Sequence, residues 1–161
     1  MRVFLTGASG FVGSHVARTL LARGCEVAVL ARPDNPLWRL RDVADQLTLL
    51  RGELSDVAAW RQALSDWRPE ACIHLAWYVE PNKYLTSPEN IPALTASLML
   101  LDELIKAGCR QVVMAGTCAE YDTDAGFLRE GGQTRPTTIY AAAKLSLSLI
   151  GQQVASAAGV R

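Results

Sequence analysis

The chain has 161 residues, half of them apolar and a fifth charged, which is the balance of a globular domain large enough for a core of its own. Sixteen basic side chains offset sixteen acidic ones, so bulk charge favours neither nucleic acid nor an anionic membrane as a partner. No apolar run is long enough to span a bilayer.

Residues 2–6 read as a first strand, so the N-terminus enters the fold directly and carries no signal peptide. The strand runs into Thr6-Gly7-Ala8-Ser9-Gly10-Phe11-Val12-Gly13, and a helix with Val12, Val16, Leu20 and Leu21 on one face leaves it and stops near Gly24. Three glycines on a strand-to-helix turn have distinct uses. Gly7 allows the turn, Gly10 lets the backbone approach a pyrophosphate, and Gly13 lets the helix pack tightly on the sheet. The helix N-terminus then offers unpaired N–H groups to the phosphates. This stretch is read as a dinucleotide-binding loop.

Glu26–Ala31 is the second strand, buried on both faces, and Pro33 and Pro36 close it before a short helix around 37–43. Leu47–Leu50 is the third strand. Ser55 or Asp56 caps a helix with Val57, Trp60, Leu64 and Trp67 at helical spacing, its tryptophans facing the core. Ala71–Ala76 is the fourth strand, and the polar loop from Trp77 to Pro92 is long enough to be functional. A helix follows with Leu94, Leu98, Leu101 and Ile105 on one stripe and Gly108 as its stop. Gln111–Ala115 is the fifth strand, residues 118–138 form a loop, and a last helix runs from Ile139 to about Ala158. Strand and helix alternating in this way imply an α/β fold, a doubly wound parallel sheet (Rossmann fold) with helices on both faces. The loops after strands one, four and five then line one cleft at the carboxyl ends of the strands. Cys25, Cys72, Cys109 and Cys118 are scattered, with no histidine at zinc spacing, so no metal site is expected and the thiols read as free, as in a cytoplasmic protein.

Tyr140 and Lys144 stand four residues apart and share a helix face. A phenol of ordinary pKa, about 10, trades protons poorly at neutral pH, and a nearby ammonium lowers that value. Tyr140 can then exchange a proton with a carbonyl or alcohol oxygen while hydride moves to or from a nicotinamide. Thr117, just past strand five, offers a hydroxyl to the same oxygen.

With these residues assembled, the chain resembles the extended short-chain dehydrogenase/reductases, in particular their nucleotide-sugar epimerase/dehydratase/ketoreductase group. The resemblance runs over the glycine loop, Ile73-His74-Leu75-Ala76, Leu100-Leu101-Asp102-Glu103-Leu104, Ala115-Gly116-Thr117 with Tyr121, and Tyr140 with Lys144. It implies NAD(P) as cofactor and Thr117, Tyr140 and Lys144 as the catalytic trio, with Lys144 also holding the nicotinamide ribose. It further implies that Phe11 and Val12 offer N–H groups to the pyrophosphate, that Glu53 and Leu54 contact the adenine, and that Ser9, Leu75, Ala76 and Trp77 belong to the cofactor site with Gly7, Gly10 and Gly13.

Departures from the family pattern sharpen the expectation. Ala31-Arg32 stands where the NAD-preferring members carry an acidic residue, and a guanidinium there pairs with a 2′-phosphate, which favours NADP(H) over NAD(H). Thr117-Cys118-Ala119 lacks the two carboxyls of the dehydratases, with Glu120 one residue too far on. Ala93 takes the place of the family's helix asparagine, and Asn90 lies a turn away. The expected function is NADP(H)-dependent reduction of a nucleotide-linked 4-keto(-6-deoxy) sugar. The alternatives are a nucleotide-sugar 4-epimerase with bound NAD and, of another class, a non-catalytic NADP(H)-binding redox sensor. Family members run to roughly twice this length, so residues 1–161 are expected to be the cofactor domain, cut before a sixth strand and without the sugar-gripping part. Leu/Ala-rich faces on the last two helices would suit a homodimer.

Overall fold

The strands form one parallel sheet in the computed structural model, which describes all residues 1–161. β1 (Arg2–Thr6), β2 (Glu26–Ala31), β3 (Leu47–Arg51), β4 (Ala71–His74) and β5 (Gln111–Met114) lie in the order β3-β2-β1-β4-β5. Leu5 stands opposite Val29 on one side and Ile73 on the other. The helices are α1 (Phe11–Ala22), α2 (Val57–Trp67), α3 (Asn90–Lys106) and α4 (Ile139–Ala157).

Alternation along the strands builds two cores. Phe4, Ala28, Leu30, Leu50 and Cys72 point to the face covered by Trp60 and Leu64 of α2 and Leu100 and Leu104 of α3. Leu5, Val27, Val29, Ala31 and Leu47 point to the opposite face, where Ala17 of α1 packs with Leu37 and Leu40. Each fully buried side chain of this size contributes roughly 1.5–3 kcal/mol. Trp60 is core, as its spacing predicts, and its indole N–H donates to the Glu53 carbonyl at 3.1 Å. α4 packs on α3. On the α1 side the sheet is bare over β5, where Val113 is 60% exposed.

Several local expectations change. The predicted helix at 37–43 is instead two short 3-10 turns, Trp38–Leu40 and Ala44–Gln46, because Leu37 enters in the left-handed region at φ 49°. α3 starts at Asn90, so Pro92 lies inside its first turn, where a missing N–H costs nothing. Its buried stripe is Ala96, Ser97, Leu100, Leu101 and Leu104; of the predicted stripe only Leu101 is buried, and Leu94, Leu98 and Ile105 are half-buried. Asp56 occupies the N-cap position of α2 without a side-chain capping bond. β4 ends two residues early, since Ala76 N–H turns from the ladder to the Thr6 hydroxyl. Arg161 lies alongside β5, donating to the Arg110 carbonyl at 3.0 Å and accepting from Val112 N–H at 2.7 Å.

Candidate active site

The strand order reverses between β1 and β4, and a cleft of about 530 Å³ opens at their carboxyl ends. Gly7, Ser9, Gly10, Arg32, Glu53, Leu54, Leu75, Ala76 and Trp77 all line it, so most of the predicted cofactor residues converge on one surface. Gly7 has φ +74°, and a Cβ there would stand 2.8 Å from the Ala76 nitrogen and the Leu75 carbonyl carbon. Gly13 is tighter still: a Cβ would meet the Gly7 oxygen at 2.1 Å. The loop and α1 therefore close on each other only through glycine. Gly10 is the N-cap residue and brings no side chain to cap α1, so the first-turn N–H groups, those of Phe11, Val12 and Gly13, have no partner within the helix. Uncapped helix N–H groups beside a side-chain-free turn fit the pyrophosphate of a dinucleotide. The Phe11 and Val12 side chains themselves point outward, 70% and 59% exposed.

Asn35, which the sequence does not flag, and His74, known from the sequence only as part of the fourth-strand signature, hold this cleft. Asn35 donates from Nδ2 to the Ser9 hydroxyl at 3.2 Å, and its Oδ1 accepts from Leu37 N–H. The Asx motif Asn35-Pro36-Leu37 was a readable turn signal for it. His74, fully buried at the end of β4, bonds Thr6 Oγ1 through Nδ1 at 2.6 Å and Ser97 Oγ through Nε2 at 2.8 Å. Ser97 donates its own proton to the Ala93 carbonyl, so it accepts from His74 Nε2–H, and Nδ1 accepts from Thr6. This chain ties glycine loop, β4 and α3 together. Burial, helped by the charge of Lys144, pushes the His74 pKa down to about 3.

Thr117, Tyr140 and Lys144 lie outside the cleft's lining, and Trp77 connects Tyr140 and Lys144 to it. The Lys144 ammonium sits 4.2 Å from the centroid of the Trp77 indole, and the Trp77 and Tyr140 rings meet edge to face at 6.4 Å. Tyr84, another residue unflagged by the sequence, packs edge to face on Tyr140 at 4.9 Å, and Tyr140 N–H donates to the Leu85 carbonyl. Thr138 caps α4 through Ala141 N–H, which sets Tyr140 in its first turn. Lys144 is buried, and that burial holds its pKa below the ordinary lysine value against the opposing pull of Glu120.

Thr117 opens a capping box. Its hydroxyl accepts from Ala119 N–H at 3.3 Å, while the buried Glu120 carboxylate accepts from Thr117 N–H at 2.9 Å. The Thr-x-x-Glu spacing was legible as this motif. The hydroxyl keeps its own proton to donate, and Glu120 is turned back to the backbone.

Comparison with known proteins agrees with this layout. The chain is 30% identical to a UDP-glucose 4-epimerase of Corynebacterium glutamicum, over 99% of this chain and 48% of the relative. A UDP-glucose 4-epimerase of Azospirillum brasilense is 28% identical over 99% of this chain and 46% of its own length. The chain thus spans about half the length of these relatives. Among solved structures, the Thermus thermophilus UDP-glucose 4-epimerase in complex with NAD superposes with a TM-score of 0.85 at 29% identity, covering 100% of this chain and 53% of that one. The model of one family matches residues 3–161, and the chain belongs to that family, the NAD dependent epimerase/dehydratase family.

Proposed function

We propose that this chain forms the cofactor-binding part of a nucleotide-sugar 4-epimerase that uses NAD. The observation that carries the reading is Trp77, which lines the glycine cleft and also touches both Tyr140 and Lys144. The NAD complex of the Thermus relative supports NAD over the NADP(H) expected from Arg32. When bound, the nicotinamide supplies a reversible hydride acceptor. The glycine loop and the α1 N-terminus hold the pyrophosphate, with Phe11, Val12 and Gly13 N–H as donors. Glu53 and Leu54, which line the cleft, would contact the adenine.

Tyr140 acts as the acid/base at the sugar oxygen. Lys144, held against the indole face of the Trp77 that also meets Tyr140, is the cation for the developing charge and the residue to hold the ribose. Thr117 donates its free hydroxyl proton to the same oxygen. The backbone-bound Glu120 supports the reading that water elimination is not this site's chemistry. UDP-sugars are the substrates proposed from the relatives' names. Exposed Met99, Leu149 and Ile150 on α3 and α4 offer apolar surface for pairing two copies.

The test is interconversion of UDP-glucose and UDP-galactose by the complete protein with NAD, compared with Tyr140→Phe. Turnover in wild type and its loss in the variant supports the reading; no interconversion by a folded, NAD-loaded protein overturns it. The exposed Arg32 at the cleft favours a second reading, an NADP(H)-dependent 4-keto-sugar reductase, which stoichiometric NADPH consumption would reveal.

A further inference from the structure

Asn90 is completely buried, and its amide is used in full. Nδ2 donates to the carbonyls of Tyr84 and Ser87, and Oδ1 accepts from the Trp77 indole N–H at 2.9 Å. One side chain thus fixes both the plane of Trp77 and the turn carrying Tyr84. The groups so fixed are those that surround Tyr140 and Lys144. The Trp77 face covers the Lys144 ammonium at 4.2 Å, the Trp77 and Tyr140 rings meet edge to face at 6.4 Å, and Tyr84 closes on Tyr140 at 4.9 Å. An ammonium withdrawn from water needs negative potential nearby, and an indole face supplies it without accepting the proton. The same ring lines the cofactor cleft.

We propose that Trp77, pinned by Asn90, is a positioning residue for the acid/base pair: its indole holds the Lys144 ammonium and the Tyr140 ring at the mouth of the cleft before any ligand arrives. The proposal rests on reading Tyr140 and Lys144 as that pair. An aliphatic residue at 77 would fill space without holding a charge, so the prediction concerns placement and is separate from stability.

The chain contains three lysines, which makes the test direct. Lys83 and Lys106 are exposed and paired with carboxylates, and Lys144 alone lies over an aromatic ring. In NMR spectra of the lysine-labelled chain, the Cε protons of Lys144 should be shifted upfield by the indole ring current. That shift should vanish in Trp77→Leu, shrink in Asn90→Ala, and persist in part in Trp77→Phe. In turnover assays of the complete protein, loss of the indole should misplace the pair, lowering kcat at least about tenfold in Trp77→Leu while KM changes by less than about twofold. Trp77→Phe should restore most of the kcat. An upfield lysine signal that survives Trp77→Leu overturns the proposal. So does an unchanged kcat once the signal is lost, and this leaves the role of Tyr140 intact. Full turnover in Tyr140→Phe would instead remove the reading beneath it. If Asn90→Ala fails to fold, the two Trp77 variants decide.

Discussion

His74 shows how a single buried group can report on the whole site. It is held neutral because its two nitrogens are already committed to Thr6 and Ser97 and because burial opposes a charge, so its pKa falls from the ordinary 6.5 to about 3. The unfolded chain binds a proton that the native state refuses. Stability should therefore be complete above about pH 6.5 and decline as pH falls toward about 3, with a limiting slope of about 1.4 kcal/mol per pH unit from this group. Denaturant unfolding between about pH 7 and about pH 4 measures it, and His74→Gln should flatten that part of the slope. At Tyr140, removal of the hydroxyl alone should reduce turnover by about 10²–10⁴-fold while changing the dissociation constant for NAD by less than about threefold, read by steady-state kinetics and titration. Arg32 is exposed at the cleft lining, and its backbone carbonyl accepts from Arg51 at 3.1 Å. Arg32→Asp should lower NADPH affinity relative to NADH by at least about tenfold; unchanged relative affinities would show that this side chain does not read a 2′-phosphate.

Among the elements, the β1–α1 junction is the least tolerant of change. A methyl group at residue 13 would overlap the Gly7 oxygen at 2.1 Å, and that contact is backbone, which cannot swing aside. Gly13→Ala should cost about 1–3 kcal/mol in thermal or denaturant unfolding, and weaken dinucleotide binding at least tenfold, because the loop can no longer close on the helix. This junction was legible in the sequence because glycine spacing and strand context state the geometry directly. β1 and β2 were likewise legible to the residue, since buried parallel strands read as unbroken apolar runs. α3 was misread by part of a turn. Its leucines suggested one stripe, but the polar Ser97 is drawn inward by His74, and Asn90 by Trp77, so hydrogen bonding overrides hydropathy there. The turns at 38–46 were not legible either, because a left-handed Leu37 is imposed by burial between the sheet and α1. Tyr84 and Asn90 depend on contacts made across the loop after β4, and spacing alone carries no signal for them.

At the scale of the molecule, the strand order decides where chemistry can occur. Reversal between β1 and β4 opens the cleft, and the loops after β1 and β4 meet there as the sequence reading expects. The loop after β5 lies to one side, and Trp77 makes the connection to α4. Membership of the NAD dependent epimerase/dehydratase family agrees with that arrangement, and NAD in the Thermus relative shifts the cofactor expectation away from Arg32's phosphate logic. The most direct test is calorimetric titration of the folded chain with NADH and NADPH in parallel. One NADH per chain, bound more tightly than NADPH, is the expected result. Tighter NADPH would contradict the epimerase reading, and a folded chain that binds neither would contradict the assignment of the cleft itself.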